Sequence, residues 1–122
     1  MGIFSVSAKL YQRFPSGDGV SVDVELLVDS GATFTVIPRA VLTQVGVNAV
    51  EQRQVLTVDR KLLRRELGYV GIEVAGRRRV FSPVLFGEAD DFAVLGAVTL
   101  EIAGLFIDPE RKELSPRPSL LL

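Results

Sequence analysis

Three features of the sequence predict a small, mostly-β single domain with one or two short helices. Apolar and polar residues alternate along several segments. Clusters of Pro, Gly and Asp punctuate the chain at intervals of about ten residues. β-Branched and aromatic residues fill the stretches between them. The 122 residues suffice for one domain with a modest core, spanning 1–122, and not for two.

The elements follow in order. Phe4, Val6, Ala8 and Leu10 alternate with Ser5, Ser7 and Lys9, the period of a half-buried strand. "FPSGDG", Phe14 to Gly19, has hairpin-loop chemistry. Val20, Val22, Val24, Leu26 and Val28 then share one face of a second strand, with Ser21, Asp23, Glu25, Leu27 and Asp29 on the other. Gly31 is expected to let the backbone turn sharply after Asp29. "TFTVI", Thr33 to Ile37, predicts a strand, and "PRAVLTQVG" a short helix with Pro38 at its first position and Gly46 as its stop. "RQVLTV" and "LGYVGIEV" predict strands on either side of "DRKLLRRE", and "RRRVFSPVLF" another after a turn at Gly76. Leu95, Val98 and Ile102 have helical spacing, with Gly104 as the cap. "LFIDPERKEL" predicts a closing hairpin, and the tail from about 115 to 122 is expected to be loosely held. The sum is about seven or eight strands.

Composition excludes much. Apolar residues make up 48% and charged residues 24%, the balance of a folded chain. Fourteen basic and 15 acidic side chains nearly cancel, so no global field draws the chain to nucleic acid or an anionic membrane. The basic runs "RKLLRREL" and "GRRRV" lack the interleaved aromatics of a nucleic-acid platform and fit solvated hairpin edges. Without cysteine there is no disulfide or thiolate chemistry. Without histidine there is no Ser-His-Asp triad, histidine-ligated zinc or imidazole acid-base catalysis. No metal or cofactor is expected. The start, "MGIFSVSAKLY", lacks a leader pattern, and Val6 stands where a myristoylation motif wants Ser or Thr. No apolar run approaches the ~20 residues of a membrane span. The expectation is a cytoplasmic chain with no membrane partner.

One stretch breaks these rules. In "LLVDSGATFTVIP", Leu26 to Pro38, an apolar run is interrupted by Asp-Ser-Gly and then resumes. A carboxylate in such a setting is costly unless it has a task. Two carboxylates sharing one proton can hydrolyse a peptide bond without metal or covalent nucleophile, because like charges at that distance cannot both ionise. One then serves as base toward water and the other as acid toward the carbonyl. The plainer alternative is an Asx-turn that ends a strand, with Gly31 at positive φ.

The segment resembles the active-site motif of the retroviral-type (retropepsin-like) aspartic peptidases, which read apolar-apolar-Asp-Thr/Ser-Gly-Ala. That family carries a second element further along, two apolar residues and a glycine entering a short helix, and "AVLGAVTLEIAGL" matches it at Val94, Leu95 and Gly96. The ending "TLEIAGLFIDPERKEL" is similar to the single-lobe bacterial and archaeal members. The resemblance runs from about Val20 to Leu114. It implies a lobe built as a closed or partly open β-barrel that works as a homodimer. Asp29 from each chain would be catalytic, acting on a peptide or protein substrate. It further implies that Gly31 donates its N–H to the carboxylate and Ser30 bonds across the twofold. Ala32 would line the site, and Val94, Leu95 and Gly96 would pack beneath the loop. A hairpin flap from Gln54 to Val70 would cover the substrate with its tip at Val58, Asp59, Arg60 and Lys61.

Three departures from the pattern stand out. The flap tip has no glycine, and Thr33 and Ala97 occupy the positions of a dimer-steadying Asp–Arg pair. Losing both partners of that pair strands no charge. Dimer contacts would then come from the closing hairpin. The rival function is a retropepsin-like module that binds peptides or partner proteins without cutting them.

Overall fold

The computed structural model describes residues 4–12 and 21–122. The loop expected at Phe14 to Gly19, and Val20, lie outside them. Among the described residues, nine strands and two helices follow in chain order: β1 (Ser5–Tyr11), β2 (Val22–Val28), β3 (Thr35–Pro38), α1 (Arg39–Val45), β4 (Glu51–Leu56), β5 (Leu62–Val74), β6 (Val80–Gly87), β7 (Val94–Leu95), α2 (Ala97–Ala103), β8 (Leu105–Asp108) and β9 (Glu113–Pro116).

The sheet order is β1-β2-β7-β3-β6-β5-β4, and β1 also pairs with β5, so the sheet rings through six strands with β4 outside the ring. β1 runs antiparallel to β2 and β5, pairing Ala8 with both Val24 and Val74. The alternation seen in sequence sends Ala8, Leu10, Leu26 and Val28 inside, where they meet Ile37, Val70, Ile72, Val84 and Phe86. α1 closes the core with Leu42 and Val45 and stops at Gly46, whose φ of 91° only glycine adopts without strain. α2 buries Thr99 and Leu100, and β8–β9 forms a separate ribbon whose Leu105 and Leu114 join the core.

Two features place the site. β7 lies between β2 and β3, parallel to the first and antiparallel to the second. The chain leaving β2 must therefore pass over the end of β7 to reach β3, and Asp29 begins that passage. The β4–β5 hairpin extends from the sheet beside it.

Several boundaries differ from expectation. Thr33 and Phe34 belong to the crossing loop rather than to β3, because their backbone wraps the end of β7. Pro38 is the residue before α1, not its first position. Leu62 to Glu66, expected in a connection, begin β5: Leu62 pairs with Leu56 and Glu66 with Gln52. β6 starts at Val80, leaving Arg77 to Arg79 in the turn. Leu95 is the end of β7 and not part of the helix, which starts at Ala97. The closing hairpin and the Gly104 cap (φ 68°) stand as expected, with Ser115 and Pro116 inside β9 and no regular structure beyond. Among the described residues no helix is long and apolar enough to cross a membrane.

Candidate active site

Asp29 sits directly after β2, half-buried, and its N–H continues the parallel ladder by donating to the Leu95 carbonyl at 3.0 Å. Its Oδ1 accepts the Gly31 N–H at 2.9 Å, a bond that favours an ionised carboxylate. The Ala32 N–H closes the turn on the Asp29 carbonyl at 3.1 Å. This turn needs no left-handed glycine: among the described residues the positive-φ glycines are Gly46, Gly76 and Gly104. Ser30 and Gly31 are exposed and Ala32 is half-buried. The Gly31 bond satisfies the Asx-turn reading as well, so the turn by itself assigns no chemistry.

The strand beneath is more demanding. A Cβ on Gly96 would lie 2.5 Å from the Phe34 carbonyl carbon, 2.6 Å from its oxygen and 2.9 Å from the Ala32 oxygen. Only glycine lets the loop rest on β7 so closely. Just past it, Ala97 N–H donates to Ala32 O at 2.8 Å and Val98 N–H to Thr33 O at 2.9 Å. Backbone bonds thus join the two segments that hold Thr33 and Ala97, the positions where the resemblance would place an ion pair.

A buried hydroxyl chain completes the anchoring. The Gly96 N–H donates to Thr35 Oγ1 at 3.0 Å. Thr35 Oγ1 lies 2.6 Å from Thr99 Oγ1, which lies 2.7 Å from Ser82 Oγ. The Ser82 hydroxyl also reaches the Pro83 carbonyl at 3.1 Å. All three side chains are fully buried. Sequence reasoning missed them, since a lone Thr in a strand or helix carries no distinguishing signal; their one clue is the glycine they serve.

Register extends the site. Leu27 pairs with Val94, Val94 with Val36, Val36 with Leu85 and Leu85 with Leu67. Paired residues share a face, so these five side chains form an apolar band on the face that Asp29, next in the alternation after Leu27, also occupies. Leu67, Leu85 and Val94 are buried but lie outside the main core cluster. Leu95, expected in the floor, contributes its carbonyl to Asp29 and sends its side chain to the main core instead.

The same face continues onto the hairpin through Leu63, Arg65, Arg53 and Val55. The Arg53 guanidinium lies 5.5 Å from the centre of the Phe34 ring, joining β4 to the Asp29 loop. Arg65, expected at a solvated edge, is largely covered and paired with Asp91. At the tip, Thr57 N–H donates to Lys61 O at 2.9 Å, and the Thr57 hydroxyl bonds to Asp59 and accepts Lys61 N–H at 3.0 Å. Arg60 holds φ 64°, a left-handed position that glycine usually fills, and Val58 is fully exposed. The structure therefore brings Asp29 to Ala32 together with Val94 to Gly96, while Val58 to Lys61 occupy the far end of the adjoining hairpin.

Among the described residues no group of three or more His, Cys, Asp or Glu side chains is arranged to hold a metal ion. No family model matches the chain, and no curated protein matches it.

Proposed function

We propose that the protein is an aspartic endopeptidase that works as a homodimer, with Asp29 of each chain forming a shared carboxylate pair. The observation that carries this reading is the seating of the Asp29 loop on Gly96, at a distance that excludes even a methyl group. An ordinary strand-ending turn has no need of so exacting a support. The apolar band beside Asp29 suits an extended peptide with apolar side chains, and the β4–β5 hairpin is the element able to cover it.

In the proposed reaction the pair holds one proton and titrates as a unit. The ionised carboxylate takes a proton from water, whose oxygen attacks the scissile carbonyl. The protonated carboxyl donates to the carbonyl oxygen. Collapse of the tetrahedral species breaks the C–N bond, and a proton passes to the leaving amine.

The test compares wild type with Asp29→Asn on a peptide library from mildly acid to neutral pH, with chain association measured in the same samples. Cleavage by wild type alone, falling on dilution as the dimer dissociates, is the expected result. Undiminished turnover in purified Asp29→Asn sinks the proposal. A second reading, a peptide- or protein-binding module without catalysis, is favoured by Arg60, which strains the hairpin tip where a glycine would move freely. It predicts peptide binding that survives Asp29→Asn and no cleavage by a dimeric wild type.

A further inference from the structure

On the face that carries Asp29, the β4–β5 hairpin is tied to the body of the protein by a two-pronged ion pair. Arg65 Nε lies 2.6 Å from Asp91 Oδ2 and Nη2 lies 2.9 Å from Oδ1. Both side chains are mostly covered, 17% and 22% exposed. The carboxylate is fixed in advance, because Oδ2 also accepts the Glu88 N–H at 2.8 Å and the Asp91 N–H donates to Glu88 O at 2.9 Å. Asp91 belongs to the segment that runs directly into β7, the strand beneath Asp29. On the other face of β5, Arg39 bonds Glu66 and reaches Glu88 at 3.1 Å. Beyond this point the hairpin is on its own: among the described residues, the side-chain hydrogen bonds and ion pairs of 57–64 all stay within it.

We propose that Arg65 and Asp91 are positioning residues, a hinge clamp that sets where the movable part of the hairpin begins and couples its base to the floor strand. The clamp rests on geometry; that the hairpin closes over a peptide rests on the function proposed above. An exposed pair between long side chains contributes little. Here a planar guanidinium meets a carboxylate already held by a backbone N–H, so less side-chain freedom is lost and the fork matches both oxygens. The Arg65 hydrogen bond, against the opposing effect of burial and with help from the Glu88 N–H, holds the Asp91 carboxyl below its ordinary range. Removing one partner leaves the other charged and partly covered, and opening the hairpin base is the way to rehydrate it.

Hydrogen exchange in the full chain tests this directly. Asp91→Asn keeps an oxygen for the Glu88 N–H while removing the charge that holds Arg65. The amides of 52–64 are expected to exchange about tenfold faster, ~1.4 kcal/mol of local opening, with the amides of β2 unchanged. Arg65→Lys, which keeps the charge and loses the fork, is expected to give a smaller acceleration in the same segment, and serves alone if Asp91→Asn does not fold. On a cleaved peptide both variants raise KM more than they lower kcat. Unchanged exchange in 52–64, or equal acceleration in β2, overturns the clamp. If wild type cleaves no peptide the endopeptidase reading fails, and the exchange result still decides the clamp.

Discussion

Replacing Gly96 by alanine puts a methyl carbon 2.5 to 2.9 Å from three backbone atoms of the Asp29 loop. Backbone cannot swing aside as a side chain can, so the loop must lift by roughly 1 Å to reach ordinary contact distance. Lifting it stretches the bonds from Ala97 N–H to Ala32 O and from Gly96 N–H to Thr35 Oγ1, now 2.8 and 3.0 Å. Each such bond contributes about 0.5–1.5 kcal/mol, and the overpacking itself costs about 1–3 kcal/mol. The expected loss is therefore ~2–6 kcal/mol, read by urea denaturation as a lower midpoint at unchanged slope. For a domain of this size it lowers the melting temperature by roughly 6–30 °C. Gly76→Asn is the control: nothing lies within 4 Å of its Cβ position and asparagine tolerates φ 72°, so the change stays under about 1 kcal/mol. Gly96→Ala with a loss below about 1 kcal/mol would refute the claim that the loop is seated on this glycine. On the proposed function, any variant that keeps its fold should also lose peptide cleavage, since the two carboxylates would no longer meet at the right distance.

Thr99→Val preserves shape but removes the hydroxyl between Thr35 and Ser82. It should cost about 1–3 kcal/mol by urea denaturation, with the Gly96 amide exchanging faster because its acceptor is no longer held. The pH dependence of the clamp follows from Asp91. Its folded-state pKa lies below the ordinary 3.8, through the Arg65 hydrogen bond first. The pair thus adds stability that is complete above the unfolded value and is lost as pH falls through the folded one. The difference in urea midpoint between wild type and Asp91→Asn should be constant from pH 7 to about pH 5 and close below that. A gap that widens toward acid would show the sign to be wrong.

The sequence made the strand alternation and the glycines legible for different reasons. In β1 and β2 one face meets the core and the other meets solvent, so the two-residue period survives in the residue types. Gly46 and Gly104 were legible as helix stops, which glycine fills at positive φ, and Gly96 only through the motif that it completes. The period vanished in Leu62 to Glu66, where both faces of β5 carry charged side chains held by partners from elsewhere, Asp91 on one side and Arg39 on the other. Thr33 and Phe34 have strand propensity, but the need to cross over β7 overrides it. Pairings across the fold, such as Arg65 with Asp91 and Thr35 with Thr99, depend on which strands lie adjacent. No local pattern encodes that.

The missing Asp–Arg pair acquires a physical meaning once the anchors of the loop are compared. Ala32 and Thr33 are held by the N–H groups of Ala97 and Val98, Phe34 packs on Gly96, and Thr35 enters a chain of hydroxyls. Every one of these fasteners is neutral, so none of them releases or takes a proton across the range in which a carboxylate pair would titrate. The charged clamp instead stands away from the loop, where the hairpin meets the segment before β7. The supports of the loop and the attachment of the hairpin are thereby built from different chemistry, backbone and hydroxyl hydrogen bonds for the one and an ion pair for the other.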